Sequence, residues 1–407
     1  MATTNINNNN GDELTTNLVL PEDIMFQILL WLPVVSLLRF KSVCKSWYSL
    51  IKSSQFISLH SNKGTQEDEE NYNNHKLFIL QSNPSGPECK LISSSSCGGG
   101  GGGGGNNTIY QASENLDIPE FLSIYDFSEV RSSKMFSCKG IICFLHDNWN
   151  VSLWNPATKQ FRILPESQIP LPGKGNGFKL KIGFGFDAKT NDYKVVRFLY
   201  SIQNFHADDK YYDHVEVYSL STNSWKTLDM VLSISHVEKD SDPKMPLRNG
   251  EIYCWIGGFD WDQSCVISFN FRTEVFDTIL LPDDPTFPLD REWQLAILRE
   301  KIAIVLINYE GDTTALPYSF NYQIWVMNEY GVKDSWSKVY TIGTFTFICK
   351  LIGFAMNGNL LLSVMDQEYN HQLCLCDLVT QQITNLPGQD SSTNVGVAVY
   401  KECLRSV

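Results

Sequence analysis

One short turn pattern recurs along most of this 407-residue chain. In each copy a small polar residue is followed three positions later by Thr, and a large apolar residue comes three positions after that. The copies are Asn155-Thr158-Phe161, Asp187-Thr190-Tyr193, Ser219-Thr222-Trp225, Asn270-Thr273-Phe276 and Asp377-Thr380-Ile383, with a degenerate copy at Asn328-Gly331-Trp336. The polar residue favours a tight turn because its side chain bonds the nearby backbone, and the large residue then returns to the core face of the next strand. The repetition therefore predicts a series of β-hairpins.

The spacing of these turns bears on the architecture. Most copies lie about 50–60 residues apart, which is the length of one four-stranded blade of a β-propeller. The copy at Asp187 falls 32 residues from each of its neighbours, so the number of blades stays open. Ten Trp and an aromatic content of 12% also favour an all-β core. We therefore predict an all-β propeller, with a pair of β-sandwiches as the alternative.

Residues 18–60 have a different pattern and predict a compact helical unit ahead of the β-rich body. Pro21 is followed by two acidic residues, which favours a helix start here because the acids complement the helix dipole. Ile24, Ile28 and Leu32 then recur at helical spacing. Three short helices cannot bury this much apolar surface among themselves. The surplus either contacts a partner protein or packs as a cap on the β-rich body, and the pattern leaves both alternatives open.

Composition divides the chain into segments and predicts an α+β multidomain protein. We expect a disordered tail at residues 1–17, a helical domain at 18–60, an acidic linker at 61–75, and a β domain at 76–407 with a Ser/Gly-rich insertion at 93–107. The formal net charge of −13 argues against a nucleic-acid partner and against a membrane surface. The helical domain is slightly basic, so the acidic residues lie mainly in the rest of the chain.

The cysteines and the first residues bear on the cellular compartment. Eleven Cys lie along the chain without the spacing of a disulfide framework. The start lacks the basic and apolar regions of a signal peptide, and no apolar run approaches the ~20 residues of a transmembrane helix. We therefore expect a cytoplasmic protein, with the nucleus as a further compartment, whose thiols are reduced and mostly buried.

The motifs that could carry chemistry point away from catalysis. Eight consecutive Gly at 98–105 lack the Lys and the hydroxyl residue of a phosphate-binding loop. No hydrolase, metalloprotease or deaminase motif is present. The best cluster of metal-ligand types, His371, Cys374 and Cys376, lacks a fourth ligand. We predict no catalytic residue, no metal and no cofactor, and the alternative is a propeller enzyme with an unrecognised site.

Acidic and aromatic residues in predicted loops are candidates for contact with a target protein. If these loops share one face of the β domain, they form a negative surface suited to a basic target. The alternatives are a solvated rim for the acids and core packing for the rings. The candidates are Asp208, Asp209, Asp213, Trp255, Asp260, Trp261 and Asp262.

The helical segment resembles an F-box over its whole length, LPEDIMFQILLWLPVVSLLRFKSVCKSWYSLIKSSQFISLH. The matching features are L-P-E-D at the start, the later L-P, the S-L-L-R-F-K run and V-C-K-S-W. The resemblance implies a trihelical module that docks on the Skp adaptor of an SCF ubiquitin ligase and so recruits the cullin. It also implies adaptor-facing or module-supporting roles for Leu20, Pro21, Ile28, Leu32, Pro33, Leu38, Cys44 and Trp47.

The β-rich body resembles the F-box-associated, kelch-like domain of plant F-box proteins. The resemblance is carried by CKGIICFLHDNWNVSLWNPATKQFRILP, GFGFDAKTNDYKVVR, VEVYSLSTNSWKTL, IWVMNEYGVKDSWSKVYTI and VYKECLRSV. It implies a kelch-like β-propeller that presents a target protein to the ligase. IWVMNEYGVKDSW and VYKECL look most like S-locus F-box proteins of self-incompatible plants, whose targets are secreted pistil ribonucleases. The alternatives are a receptor for another protein target and a non-degradative propeller scaffold.

Overall fold

The computed structural model describes residues 21–62, 76–83, 86–96, 108–119, 135–146, 148–167, 178–201, 214–230, 236–237, 245–247, 250–258, 264–284, 287, 293–310, 319–345, 349–365, 371–387 and 395–407. These residues divide into two compact units, with the boundary between His60 and Ser61. The predicted tail at 1–17 lies outside them, as do residues 63–75 of the predicted linker and 97–107 of the predicted insertion. None of the described helices has the length and apolar character of a membrane span.

The first unit is helical. Within residues 21–62 the helices are α1 (Glu22–Leu30), α2 (Val34–Phe40), α3 (Lys45–Lys52) and α4 (Ser54–Asn62). The predicted start after Pro21 is present, and the Pro21 carbonyl accepts a hydrogen bond from the Met25 N–H at 3.0 Å. Pro33 precedes α2 in the same way. Proline is suited to both places because the start of a helix does not require its missing N–H.

The fourth helix corrects the expectation of three. The Ser53 hydroxyl accepts a hydrogen bond from the Phe56 N–H at 3.2 Å, which satisfies one of the free donors at the start of α4. The Phe56 ring is fully buried and packs edge-on against Phe26 with ring centroids 5.4 Å apart. Each helix contributes to one small core, which consists of Leu29, Val34, Leu37, Ile51 and Phe56.

The second unit is all-β, and its described strands form six four-stranded antiparallel sheets. Sheet 1 contains β1 (Lys76–Asn83), β2 (Gly86–Ser96), β3 (Thr108–Leu116) and β24 (Val395–Tyr400). Sheet 2 contains β4 (Met135–Cys138), β5 (Ile141–Leu145), β6 (Val151–Asn155) and β7 (Gln160–Ile163). Sheet 3 contains β8 (Phe178–Asp187), β9 (Asp192–Ser201), β10 (His214–Ser219) and β11 (Ser224–Leu228). Sheet 4 contains β12 (His236–Val237), β13 (Ile252–Gly258), β14 (Ser264–Asn270) and β15 (Val275–Leu280). Sheet 5 contains β16 (Trp293–Leu298), β17 (Lys301–Glu310), β18 (Ser319–Met327) and β19 (Trp336–Phe345). Sheet 6 contains β20 (Cys349–Phe354), β21 (Leu360–Met365), β22 (His371–Cys376) and β23 (Ile383–Asn385).

The order of the strands shows how the ring closes. In sheets 2 to 6 the strands pair in chain order, whereas sheet 1 has the order β24-β1-β2-β3. β24 pairs antiparallel with β1, so that Tyr400 lies opposite Lys76. β4 contacts both β24 and β8, which places the first strands of neighbouring sheets side by side and gives β24 the corresponding place in sheet 1. The predicted propeller is confirmed with six blades, and the β-sandwich alternative is wrong.

The predicted turns are hairpin turns, and their places explain the irregular spacing. In sheets 2 to 6 a copy of the pattern joins the third strand to the fourth, whereas the Asp187 copy joins the first two strands of sheet 3. The Asp187 carboxylate accepts hydrogen bonds from the N–H groups of Lys189 at 2.9 Å and Thr190 at 3.3 Å. In sheet 1 the corresponding strands are β2 and β3, and the Ser/Gly-rich stretch lies between them in the chain.

Close packing between sheets 3 and 4 explains the glycines of the GFGFD stretch. A Cβ atom on Gly183 would lie 2.6 Å from Cζ2 of Trp255, and one on Gly185 would lie 2.0 Å from Cε2 of Phe271. Both distances are far below van der Waals contact, so only glycine allows these rings to reach the strand. The two glycines therefore have a packing role in the propeller core.

Candidate functional site

The helical unit leaves several large apolar side chains exposed. Ile24 and Ile28 are 49% and 47% exposed, and they share one face of α1. Trp31, at the end of α1, continues this face and is 74% exposed. Further exposed apolar side chains of the unit are Val35, Val43, Tyr48 and Leu59. This much apolar surface on a unit with a small core is typical of a surface that binds another protein.

Trp47, on α3, contacts two other helices of this unit. Its ring lies 5.2 Å from the ring of Phe40, and its Nε1–H points to the Met25 sulfur at 2.7 Å. The side chain is half-buried. Trp47 therefore supports the packing of α3 on α1 and α2 and still has surface available for a partner.

The propeller places Trp255 in its core. This ring is fully buried and packs against Tyr253, Phe198 and Phe276, with the ring centroid of Tyr253 at 4.9 Å. Its Nε1–H donates to the Ile182 carbonyl at 3.1 Å. A side chain without exposed surface cannot contact a target, so the target-binding prediction is wrong for Trp255. The other candidates for that role, Asp208, Asp209, Asp213, Asp260, Trp261 and Asp262, lie outside the described residues.

Comparison with protein families accounts for both units. Residues 18–59 match the F-box domain, and residues 106–404 match the F-box associated beta propeller domain. The chain belongs to the F-box proteins with an F-box associated β-propeller. The second match begins after β1 and β2, although the structure includes these strands in the first blade.

The chain is similar to several curated relatives from Arabidopsis thaliana whose names include an F-box or an F-box with kelch repeats. F-box protein CPR1 is 24% identical over 79% of this chain and 73% of its own length. F-box/kelch-repeat protein At3g23880 is 27% identical over 80% of each chain. Putative F-box/kelch-repeat protein At3g17570 is 24% identical over 95% of this chain and 90% of its own length. Proteins that combine an F-box with a β-propeller are typically substrate receptors of SCF ubiquitin ligases.

The predicted adaptor-facing residues of the F-box can be placed in the structure. Leu20 lies outside the described residues. The other seven keep accessible surface: Pro21, Ile28, Pro33 and Cys44 are exposed, and Leu32, Leu38 and Trp47 are half-buried. Their contact with the adaptor stays a prediction. Sequence reasoning did not single out Trp31 as a site residue, although its place seven residues after Ile24 gives it the same helix face.

Cys44 has a distinct chemical environment in the F-box. It precedes α3, and its sulfur lies 3.1 Å from the Ser46 hydroxyl. The hydrogen bond with Ser46 lowers the pKa of the Cys44 thiol, and the backbone N–H of Trp47 lowers it further.

On the same helix, α3, the Lys52 ammonium donates to the Tyr48 hydroxyl at 3.1 Å and lies 5.0 Å from its ring centroid. A lysine ammonium thus lies beside Tyr48, one of the exposed side chains of the F-box.

The residues considered as metal ligands are engaged in contacts between strands. His371 Nδ1 lies 3.0 Å from the Ser363 hydroxyl, and the Cys374 thiol lies 3.2 Å from the Asn385 side-chain oxygen. Burial raises the pKa of Cys374 and of Cys376 to about 11, so both are neutral thiols at physiological pH. Among the described residues, no group of three or more His, Cys, Asp and Glu side chains is arranged to hold a metal ion.

Proposed function

We propose that this F-box protein is the substrate-recognition subunit of an SCF-type E3 ubiquitin ligase. The F-box binds the Skp adaptor and thereby the cullin, and the propeller holds a target protein. The exposed apolar side chains of the F-box, above all the face of Ile24, Ile28 and Trp31, are the observation that carries the proposal.

The proposed mechanism requires no catalytic residue in this chain. A receptor that holds the target beside the charged ubiquitin-conjugating enzyme makes the transfer nearly intramolecular. The family is consistent with such a non-catalytic, adaptor-type receptor. The propeller contributes by binding and orienting the target, and the F-box contributes by fixing the complex to the ligase.

The proposed adaptor-binding face of α1 can be tested with one pair of variants. Ile28→Glu places a charge in the exposed apolar face, and the control Val379→Glu makes the same kind of change at a residue of the propeller that is 79% exposed. We expect Ile28→Glu to weaken adaptor binding by about 2 kcal/mol, roughly 30-fold in Kd, because a charge would be desolvated at the interface. Val379→Glu should bind as the unchanged protein does. Isothermal titration with the purified adaptor measures both.

The outcome decides between receptor and scaffold. Equal adaptor affinities of the two variants would show that the face of α1 does not bind the adaptor. If the folded, unchanged protein does not bind the adaptor at all, the ligase proposal is wrong and a free-standing propeller scaffold is favoured.

For the target we propose a basic protein and, more narrowly, a secreted pistil ribonuclease recognised in self-incompatibility. The net charge of −13 and the similarity of two propeller stretches to S-locus F-box proteins support this choice. Binding of a basic secreted ribonuclease should weaken steeply as salt increases, because the attraction is electrostatic. Equal binding of a basic and an acidic ribonuclease would contradict the proposal of a basic target, and failure to bind a pistil ribonuclease would contradict the narrower proposal and favour a receptor for another target. We also propose a cytoplasmic location, with the nucleus as a further compartment, which cell fractionation would test.

A further inference from the structure

The segment 401–407, here called the strap, follows β24 and lies against neighbouring blades. It has no regular secondary structure, yet Cys403 and Leu404 are each only 2% exposed and Arg405 is 7% exposed. The strap passes so close to the turn between β4 and β5 that a Cβ on Gly140 would lie 2.4 Å from the Lys401 carbonyl oxygen. A segment without regular secondary structure that is buried in this way contacts the propeller much as a bound peptide would.

Sheet 2 holds the backbone of the strap through one amide. The Asn155 Nδ2 group donates to the Arg405 carbonyl at 2.7 Å and to the Cys403 carbonyl at 3.1 Å. The Asn155 Oδ1 atom is occupied separately by the Ala157 N–H at 3.0 Å, which closes the turn after β6. Asn155 is fully buried, so its orientation is fixed. Contacts with backbone carbonyls do not depend on the side chains of the bound segment.

Sheet 3 holds the Arg405 side chain in an aromatic pocket. The guanidinium carbon lies 4.5 Å from the ring centroid of Phe186 and 5.8 Å from that of Tyr193. Arg405 Nη1 donates to the Asn191 side-chain oxygen at 2.8 Å. Cation–π contact with the rings, together with one amide acceptor, suits a guanidinium group. Lys139 Nζ also lies 4.5 Å from the Phe186 centroid, so this ring faces two cations.

The compensation of this buried charge is incomplete. Among the described residues no carboxylate forms an ion pair with Arg405, and its Nε has no hydrogen-bond partner. A buried cation without a carboxylate is held less firmly than a paired one. The pocket therefore fits a guanidinium group, but the described residues supply no carboxylate to pair with it.

We propose that the groove formed by Asn155, Phe186, Asn191 and Tyr193 is a binding site for an arginine-bearing peptide segment, and that the strap occupies it as an internal competitor. The inference rests on the proposed function in one respect, because it takes the external segment to be part of the target. A basic target supplies such segments. The strap acts at the high effective concentration of a tethered ligand, so only a target that binds well displaces it.

The first experiment separates the groove from its occupant. A variant that ends at Glu402 lacks Cys403–Val407 but keeps the Glu402–Lys76 ion pair at 2.6 Å. A fluorescent peptide of sequence KECLRSV should bind this variant in an anisotropy titration, and the same peptide with citrulline in place of Arg should bind about tenfold more weakly. The full chain should bind neither peptide, because its groove is filled. If the shortened variant is folded by circular dichroism and binds both peptides equally, or neither, the proposal is overturned.

A second experiment does not require removal of the strap. In the full chain, Arg405→Ala empties the aromatic pocket, and millimolar ethylguanidinium should then raise the Tm of this variant. The unchanged chain should show no rise, and Arg405→Ala/Asn191→Gly should respond much less, because glycine keeps the left-handed backbone at φ +56° but removes the acceptor. The control Arg405→Ala/Asn223→Gly alters the matching position of another turn and should keep the response. An equal change in Tm in all four proteins would overturn the proposal that this pocket binds a guanidinium group.

The groove and the ligase proposal can fail independently. Adaptor affinity, measured on the same shortened variant, should equal that of the full chain. Peptide binding without adaptor binding would support the proposed groove and contradict the ligase proposal. If the folded variant binds the adaptor but its peptide binding does not depend on arginine, only the proposal for the groove is overturned.

Discussion

The F-box and the propeller differ in where they place large apolar side chains. The F-box has a small core and exposes apolar residues along one face of α1 and on the helices that follow. In the propeller most of the exposed apolar residues lie on the outer, fourth strands of the blades, as Phe161, Val275, Val339 and Ile383 do. The first arrangement gives a concentrated apolar surface, and the second scatters single residues around a rim. The comparison predicts that the F-box contacts a partner through apolar burial, whereas the described part of the propeller has no comparably concentrated apolar surface.

The largest test of this difference compares two tryptophans. Trp255→Ala removes a fully buried ring in the propeller and should lower the free energy of unfolding by about 4 kcal/mol, since it leaves a cavity. Trp31→Ala removes a ring that is 74% exposed and should change the stability by less than about 0.5 kcal/mol. Urea unfolding of the two variants measures both values. Similar losses would show that the face of α1 is covered within the chain, and the contrast between the units would fail.

A buried ion network gives the next largest effect and is confined to the propeller. Lys194 Nζ lies 3.1 Å from the Asp187 carboxylate, 3.0 Å from the Glu274 carboxylate and 2.9 Å from the Phe271 carbonyl. Lys194→Met should cost about 3 kcal/mol, because it leaves the buried Asp187 carboxylate without its cation. The control Lys226→Met breaks a pair with the same Glu274 at an exposed lysine and should cost less than about 1 kcal/mol. Equal costs in urea unfolding would contradict the role of burial.

The same network predicts a dependence of stability on pH. Burial alone would raise the pKa of Asp187, but hydrogen bonds from Thr190 and Lys194 outweigh it and hold the pKa below the ordinary value of 3.8. A carboxylate with a lowered pKa stabilises the fold above its ordinary pKa, and this contribution is lost as the pH falls through the folded value. We expect the acid loss of stability below pH 3.8 to be smaller in Lys194→Met than in the unchanged protein. If the two proteins lose the same stability below pH 3.8, the pKa of Asp187 does not contribute to the acid loss of stability.

The smallest effect concerns thiol reactivity rather than stability. Among the ten described cysteines, Cys44 of the F-box is exposed, whereas burial in the propeller raises the pKa of Cys403 to about 11 and of Cys138 to about 12. Iodoacetamide should therefore label Cys44 at least about tenfold faster than the buried propeller thiols. Peptide mapping by mass spectrometry after a short labelling time gives the comparison, and Cys44→Ser provides the control. Fast labelling of Cys138 or Cys403 would mean that the blades around the strap open readily.

Local signals in the sequence predicted local structure well. The helix start at Pro21 and the turns at Asn155, Asp187 and Asn270 follow from side-chain and backbone chemistry within four residues. The sequence could not predict the burial of Trp255, because the same aromatic pattern describes a core ring and a surface ring. It also left the blade count open, since the turn at Asp187 has the same local chemistry as the others and differs only in the strands it joins.

By itself the sequence determined the two kinds of unit, the hairpin turns and the F-box features, because each depends on neighbouring residues. Only the tertiary structure decided the closure of the ring by β24 on β1, the face of α1 left uncovered, and the place of Arg405 between Phe186 and Asn191. These features join residues that are far apart in the chain. Their formation depends on which surfaces pack together, and no short stretch of sequence encodes that choice.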